Sequence, residues 1–292
     1  MRVLVVVILG LTFSAGPLQA VTISDGVIDE QDQDGQDIVC FRIVTTSATY
    51  YYDKQGGGFT SLIDRDGVDW INYSRGGGEQ GEYRGIPNTG EFHPGYTGGS
   101  SWTDDPLDTE LDKVTVHSAR AGFGATWEFF ETHARMTLHT VNGEYWLLYE
   151  GTPGGQVGPD DVWWRSDGTS STCWDDPDWT ATDITNTSGA AEGSEWVFFS
   201  DGTLERSLFL IHNDDTNVDD YWQMGGTEGM TVFGFGRNGW MNMTEPDAVL
   251  VIGFVESRDY DVVKNAVDSA YTGEVPDSVP PAAPQNLQIE IQ

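Results

Sequence analysis

The alternation of short strand-like runs with glycine- and aspartate-rich turns constrains this fold more than any other feature. Twelve runs rich in β-branched, aromatic and leucine residues follow one another, from "DIVCFRIV" and "ATYYYD" to "AVLVIGFV". Runs of this length between turn residues are typical of antiparallel sandwiches. No repeat of fixed period is present, which argues against a propeller or a solenoid. The sequence therefore predicts an all-β fold, a large antiparallel β-sandwich.

Helical periodicity is clear in one place only, near the C-terminal end of the strand-rich region. In "RDYDVVKNAVDSAYTG", residues 258–273, apolar side chains recur at helical spacing and Gly273 stands where a C-cap belongs. We therefore expect one short C-terminal helix to close a domain spanning residues 21–273.

The two ends of the chain differ in composition from this domain. Residues 1–20 combine Arg2, an apolar run and a small-residue end, which predicts a secretory signal cleaved after Ala20; an N-terminal membrane anchor is the alternative. No other segment is long and apolar enough to cross a membrane. Residues 274–292 are proline-rich and predict an extended linker. Their "PPAAPQNLQI" resembles the start of a fibronectin type III module; a truncated module and a simple tail are the two alternatives.

The charge balance restricts the partners. The chain has 47 acidic against 14 basic residues, a formal net charge of -33. A field this negative disfavours nucleic acid and anionic membranes, and it suits solubility in salt water. With the signal, this predicts a secreted protein, extracellular or periplasmic.

Two further expectations concern covalent and metal links. Cys40 and Cys173 remain after the signal, and an exported chain is expected to join them in a disulfide. No cofactor is required. Calcium is an alternative, because two loops are rich in the carboxylates that it prefers, although neither completes an EF-hand and chance clusters are expected in so acidic a chain. These loops contain Asp64, Asp66 and Asp69, and Asp214, Asp215, Asp219 and Asp220.

The pair Asn142-Gly143 predicts a β-hairpin made of residues 133–150. Counting back from the turn places Arg135 opposite Glu150 and His139 opposite Trp146, with His133 on the same face. Such a face suits a binding surface, since imidazole groups exchange protons near neutral pH. The alternative is an ordinary solvated sheet face.

A second strand and a loop contribute further candidates. In "GMTVFGFGR", alternation puts Arg237 on the face of Phe233 and Phe235; it is a candidate ligand contact, and core packing explains the phenylalanines. The segment "GEYRGIPNTGEFHPGY", residues 81–96, is too rich in glycine and proline for a helix, yet it concentrates scarce cationic and titratable side chains. Arg84 and Asn88 can hold a carboxylate, and His93, Tyr83 or Tyr96 can remove a proton. A structural loop is the alternative.

One segment carries a family resemblance. The run "GGGFTSLIDRDGVDWINY", residues 56–73, resembles an early segment of the galactose-mutarotase-like superfamily. The resemblance implies a β-supersandwich and a carbohydrate substrate, as in sugar epimerases and in domains of polysaccharide lyases. It assigns no catalytic residue. Several tryptophans in or beside polar loops agree with sugar binding, because sugar rings stack on indole faces; they are Trp70, Trp102, Trp163, Trp164, Trp174 and Trp179.

The functional hypothesis is a polysaccharide lyase that cleaves a uronic-acid polymer by β-elimination. Arg84 and Asn88 would neutralise the substrate carboxylate, His93, Tyr83 or Tyr96 would act as base, and Arg135 and His133 would support them. His139, Trp146, Glu150 and Arg237 would complete the binding surface. Two alternatives remain, a non-catalytic carbohydrate-binding module and a structural surface protein. The lyase hypothesis requires the segment 81–96 and the residues 133–150 to open onto one groove.

Overall fold

The computed structural model describes residues 21–31, 35–72, 85–89, 94, 98–104, 113–174, 179–214, 216, 218–223 and 229–273. The predicted signal segment and the proline-rich tail lie outside these residues.

Within these residues, eighteen strands, numbered in chain order, form three antiparallel sheets. The four-stranded sheet has the order β1 (Thr22–Gln31), β2 (Asp37–Val44), β3 (Ala48–Asp53) and β4 (Phe59–Asp64). The five-stranded sheet has the order β13 (Trp179–Thr182), β16 (Asp219–Gln223), β17 (Thr231–Phe235), β10 (Leu147–Gly151) and β5 (Asn88–Thr89). The nine-stranded sheet has the order β12 (Ser170–Thr172), β11 (Val162–Arg165), β14 (Glu195–Ser200), β15 (Ser207–His212), β18 (Ala248–Val255), β9 (His133–Thr140), β8 (Phe123–Phe129), β7 (Val114–Arg120) and β6 (Gly99–Trp102).

The nine-stranded sheet forms one layer of a sandwich, and the two smaller sheets form the other. Aromatic side chains fill the space between the layers: the rings of Tyr149 in β10 and Phe199 in β14 lie 5.1 Å apart. On the side of the four-stranded sheet, Tyr50 packs edge-on against Phe129 of β8 at 5.1 Å. The predicted all-β sandwich is confirmed.

The outer side of the nine-stranded sheet is partly covered by the helix α1 (Tyr260–Thr272). Its buried residues Val263, Val267 and Ala270 pack on Phe209 of β15 and Val251 of β18. Asp259 caps its N-terminus by accepting hydrogen bonds from two backbone N–H groups, and Gly273 ends it in the left-handed conformation at φ 71°. The predicted C-terminal helix and its glycine cap are therefore confirmed.

An Asp-Gly turn follows β4. Gly67 adopts φ 88°, and the backbone N–H of Trp70 donates to Leu62 O at 2.9 Å, which closes a short hairpin. Asp64, the last residue of β4, pairs with Arg206, which directly precedes β15, and both side chains are almost fully buried. This ion pair joins the four-stranded sheet to the nine-stranded sheet.

The predicted disulfide is wrong. Cys40 and Cys173 are both buried, and no disulfide joins them. Cys40 lies in β2, where its Sγ is 3.6 Å from Thr60 Oγ1. Cys173 follows β12 in another sheet, where burial raises the pKa of its thiol. Each thiol packs as a small apolar group among its own neighbours, which is common for buried cysteine.

Within the described residues, no helix has the length and apolar character needed to cross a membrane.

Candidate functional site

The alternation predicted for residues 133–140 is observed in β9. Its even-numbered residues Ala134, Met136 and Leu138 point into the core, while His133 and Arg135 are half-buried on the opposite side. The polar residues of β9 therefore face outward from the nine-stranded sheet, on the part of that face beside α1.

The partner predicted for β9 is wrong. Its neighbours are β8 and β18, so Arg135 lies opposite Glu128 and Val251. Glu150 instead lies opposite Val232, because β10 belongs to the five-stranded sheet. After Asn142-Gly143 the chain crosses from one layer to the other, since both edges of β9 are already hydrogen-bonded. The predicted hairpin face is thus divided between two layers.

The imidazole groups on β9 have ordinary packing partners. The His133 ring stacks on Phe130 at 4.8 Å, and burial, followed by the charge of Arg135, lowers its pKa to about 4. His133 is consequently neutral at neutral pH. His139 Nε2 lies 3.0 Å from Thr126 Oγ1 of β8. The layer that carries Glu150 contains none of His133, Arg135 and His139. The structure therefore does not bring these three residues to the rest of the predicted site.

The structure does bring together the remaining described candidates. We call them, with their neighbours, the aromatic face: the side of the five-stranded sheet that points away from the core. Cross-strand pairs and alternation define its members as Asn88, Trp146, Leu148, Glu150, Asp220, Trp222, Met230, Val232, Gly234, Arg237 and Trp240.

An ion pair and two tryptophans form the open end of the aromatic face. Arg237 Nη1 donates to Asp220 Oδ1 at 2.5 Å, and the other oxygen of Asp220 accepts the Gly239 N–H at 2.9 Å. The guanidinium carbon of Arg237 lies 5.9 Å from the ring centre of Trp146. Trp240 meets the Trp146 ring edge-on at 5.7 Å and is 54% exposed. The arrangement offers an apolar plate beside hydrogen-bond donors and acceptors.

A glycine in β17 makes this arrangement possible. Gly234 stands between Leu148 and Asp220 on the aromatic face, and a Cβ on it would lie 2.7 Å from Arg237 Cβ. The prediction that Arg237 shares the face of Phe233 and Phe235 is wrong. The strand ends at Phe235, Gly236 turns the backbone at φ 66°, and Arg237 folds back over Gly234.

Asn88 and Glu150 lie on the same face but are nearly inaccessible, at 0% and 5% exposure. Asn88 pairs with Leu148 through β5, and the Glu150 N–H donates to Gly85 O at 3.4 Å. The described part of the segment 81–96 therefore borders the five-stranded sheet, not the polar side of β9. The predicted residues Tyr83, Arg84, His93 and Tyr96 lie outside the described residues.

The three carboxylates of the first loop suggested for calcium serve other partners, and Asp215 of the second loop lies outside the described residues. Asp64 and Asp66 both pair with Arg206, and Asp69 Oδ1 accepts two backbone N–H groups. Asp219 and Asp220 are adjacent in a strand and point to opposite sides of the sheet. Among the described residues, no group of three or more His, Cys, Asp or Glu side chains could hold a metal ion.

Comparisons with known proteins support the fold only. No protein-family model matches the sequence, and neither does any curated protein. The structure of HI1317 matches 80% of this chain and 99% of its own, with a TM-score of 0.51 at 11% identity. That of the proposed mutarotase YeaD from Salmonella typhimurium matches 85% and 97%, with a TM-score of 0.49 at 12% identity. The likeness to HI1317 supports a sandwich of the predicted type.

Sequence reasoning missed a buried polar cluster at one end of β14 and β15. Glu195 and His212 lie directly opposite each other in that pair, and His212 Nδ1 is 3.2 Å from Glu195 Oε2. Thr216 and Asp219 complete the cluster. The register could not be read from the Asp201-Gly202 turn, because six residues, 201–206, separate Ser200 from its partner Ser207.

Proposed function

We propose that the chain is an exported carbohydrate-active protein that binds a saccharide at the open end of the aromatic face. One observation carries the proposal: Trp240 is 54% exposed and stands beside Trp146 and the Arg237–Asp220 ion pair. A large exposed indole beside polar groups of fixed orientation is the usual composition of a ligand site.

The chemistry of the open end suits a sugar ring. Its apolar C–H side can stack on the indole of Trp240, while its hydroxyl groups bond to the charged pair at the edge. Asp220 is almost buried and fixes the Arg237 guanidinium, which has five N–H donors and is itself 21% exposed in its side chain. The donors left over can hold a sugar hydroxyl or, bidentately, a uronate carboxylate.

The finer activity that we propose is β-elimination on a uronic-acid polymer. Arg237 would grip the carboxylate, and the segment 81–96 would supply the base, as His93, Tyr83 or Tyr96, and the neutralising Arg84. That segment is favoured as the source because its described part, residues 85–89, borders the same sheet. The supporting role predicted for His133 and Arg135 is withdrawn, since both lie on the other layer.

A non-catalytic binding module is the second candidate. It is favoured by the composition of the aromatic face, none of whose members is a histidine or a tyrosine. A protein that only binds needs the indole and the ion pair but no base.

Affinity electrophoresis and product absorbance distinguish these functions. The protein is run in gels containing alginate, glucuronan, ulvan or pectin, and is mixed with each polymer while the ultraviolet absorbance of the unsaturated product is followed. We expect at least one polymer to retard the protein. Rising absorbance that is lost in His93→Ala supports elimination with that base; retardation without product supports the binding module. Absence of both with every polymer, and with neutral glycans, would contradict the proposal.

A further inference from the structure

A cavity of about 200 Å³ lies at the end of β15, and none of its lining residues belongs to the aromatic face. The wall is formed by described residues that follow β15 and by the segment that precedes β18. The lining residues are Tyr145, His212, Asn213, Asp214, Thr216, Val218 and residues 242–248.

His212 stands in this wall in a fixed orientation. Its side chain is 3% exposed, and its Nδ1 is turned to the fully buried carboxylate of Glu195 at 3.2 Å. A carboxylate accepts hydrogen bonds, so this contact favours the tautomer that carries its proton on Nδ1, in which Nε2 is an acceptor. His212 is one of the residues that line the cavity, and among the described residues no hydrogen bond to its Nε2 is present.

Two further residues hold Glu195 in place. The Thr216 backbone N–H donates to Glu195 Oε1 at 2.8 Å, and its hydroxyl reaches the same oxygen at 2.9 Å. Asp219 is fully buried beside Glu195, and burial, followed by the negative charge of Glu195, raises its pKa well above the ordinary carboxyl value. Asp219 therefore retains its proton at neutral pH.

The rest of the wall is rich in acceptors. Asp214, Glu245 and Asp247 are exposed carboxylates at the cavity, and the lining residues include no lysine or arginine. Val218, Met243, Pro246 and Ala248 supply an apolar part. The negative charge of these carboxylates repels an anionic ligand. A ligand with N–H donors can instead form hydrogen bonds with the acceptors of the wall, which removes the free-energy cost of leaving a buried acceptor without a partner. A small cation with N–H donors fits this wall best.

We propose that this cavity is a second binding site, which takes a small molecule with a protonated primary amine. The ammonium group donates to His212 Nε2 and to the rim carboxylates, and the body of the ligand packs on Met243 and Pro246. The site is independent of saccharide binding at Trp240.

Three sugars that differ only at carbon 6 test the proposal by titration calorimetry at neutral pH: 6-amino-6-deoxyglucose, glucose and glucuronic acid. We expect the amine to bind at least tenfold more tightly than glucose, and glucuronic acid more weakly than either. Glu245→Gln with Asp247→Asn removes rim charge without touching the buried cluster, and should reduce amine affinity about tenfold while leaving glucose unchanged. His212→Gln should reduce it further.

Trp240→Ala separates this site from the aromatic face. Amine binding should be unchanged in that variant, whatever becomes of polysaccharide binding. The proposal is overturned if the amine binds no better than glucose, or if its advantage survives in the doubly substituted rim variant and disappears in Trp240→Ala.

Discussion

At the scale of single residues, two acidic side chains that are both buried have pKa values shifted in opposite directions. Asp219 and Asp64 are both inaccessible, at 0% and 3% exposure. Asp219 faces another carboxylate and retains its proton. Burial alone would raise the pKa of Asp64 as well, but hydrogen bonds from Val68, Trp70 and Arg206 outweigh it and lower that pKa. Burial therefore acts in the same direction on both carboxylates, and the hydrogen bonds around Asp64 reverse its effect there.

Asp219 should make stability fall as pH rises. Its folded-state pKa is raised above its unfolded value of about 4, so above that pH the folded state binds more protons than the unfolded state. Burial also raises the pKa of Asp161, to about 6, so this group makes stability fall with rising pH in the same way, but only below about pH 6. From pH 6 upward, Asp219→Asn should therefore flatten the dependence of the urea midpoint on pH. Asp37→Asn, which removes an exposed charge, serves as control and should leave this pH dependence unchanged. Equal slopes in the wild type and both variants would contradict the prediction.

Arg206 should be worth several kcal/mol of stability. Its side chain is 3% exposed and contacts Asp64, Asp66 and Glu256. Arg206→Met would leave Asp64 buried without its counter-ion, and we expect a loss of about 3–5 kcal/mol in chemical unfolding. Arg65 is the matched control, because it bonds to the same Glu256 at 3.0 Å but is 54% exposed. Arg65→Met should cost less than about 1 kcal/mol. Similar losses of stability in both variants would contradict the explanation that the effect of Arg206 comes from the burial of its ion pair with Asp64.

At the scale of elements, the end of β17 determines the shape of the aromatic face. Gly234→Ala would place a Cβ 2.7 Å from Arg237 Cβ and 3.3 Å from Leu148 Cδ1. We expect this overpacking to cost about 1–3 kcal/mol and to weaken saccharide binding, since Arg237 must move. Gly124 in β8 is a suitable control, because the nearest atom to its Cβ would be 3.4 Å away. Gly124→Ala should preserve binding; unaltered binding in Gly234→Ala would remove Arg237 from the site.

Sequence patterns predicted the elements better than their partners. Runs such as "EWVFFS" and "AVLVIGFV" coincide with β14 and β18, because β-branched and aromatic side chains packed on both sides leave a continuous apolar signal. β16, "DDYWQ", carries no such signal. The Asn-Gly pair predicts a hairpin because that signal is local, whereas β10 pairs with β17 some eighty residues later along the chain.

For the candidate site as well, the sequence predicted individual residues better than the way in which the fold brings them together. Trp146, Glu150 and Arg237 were identified from residue type and do share a face. Arg135 and His139 were assigned to it through a register that long-range pairing overrides. Trp240 was missed, because its exposure follows from the fold and not from its neighbours in sequence.

For the whole molecule, stability comes from packing between layers without a covalent link. A disulfide stabilises mainly by restricting the unfolded chain, and none joins Cys40 to Cys173. A reducing agent should therefore leave the melting temperature unchanged. Thiol titration should find two reactive groups after unfolding and almost none before. A melting temperature several degrees lower under reducing conditions would show that the two cysteines are linked.

The opposite outer faces of the sandwich allow a direct test of where a saccharide binds. Trp240 on the aromatic face and Trp102 on the nine-stranded sheet are similarly exposed, at 54% and 46%. The decisive measurement is the dissociation constant of a retarding polysaccharide for the wild type, Trp240→Ala and Trp102→Ala. Loss of a stacking indole should weaken binding at least tenfold in Trp240→Ala and leave Trp102→Ala within twofold of the wild type. The reverse pattern, or equal binding by all three proteins, would contradict saccharide binding at the aromatic face.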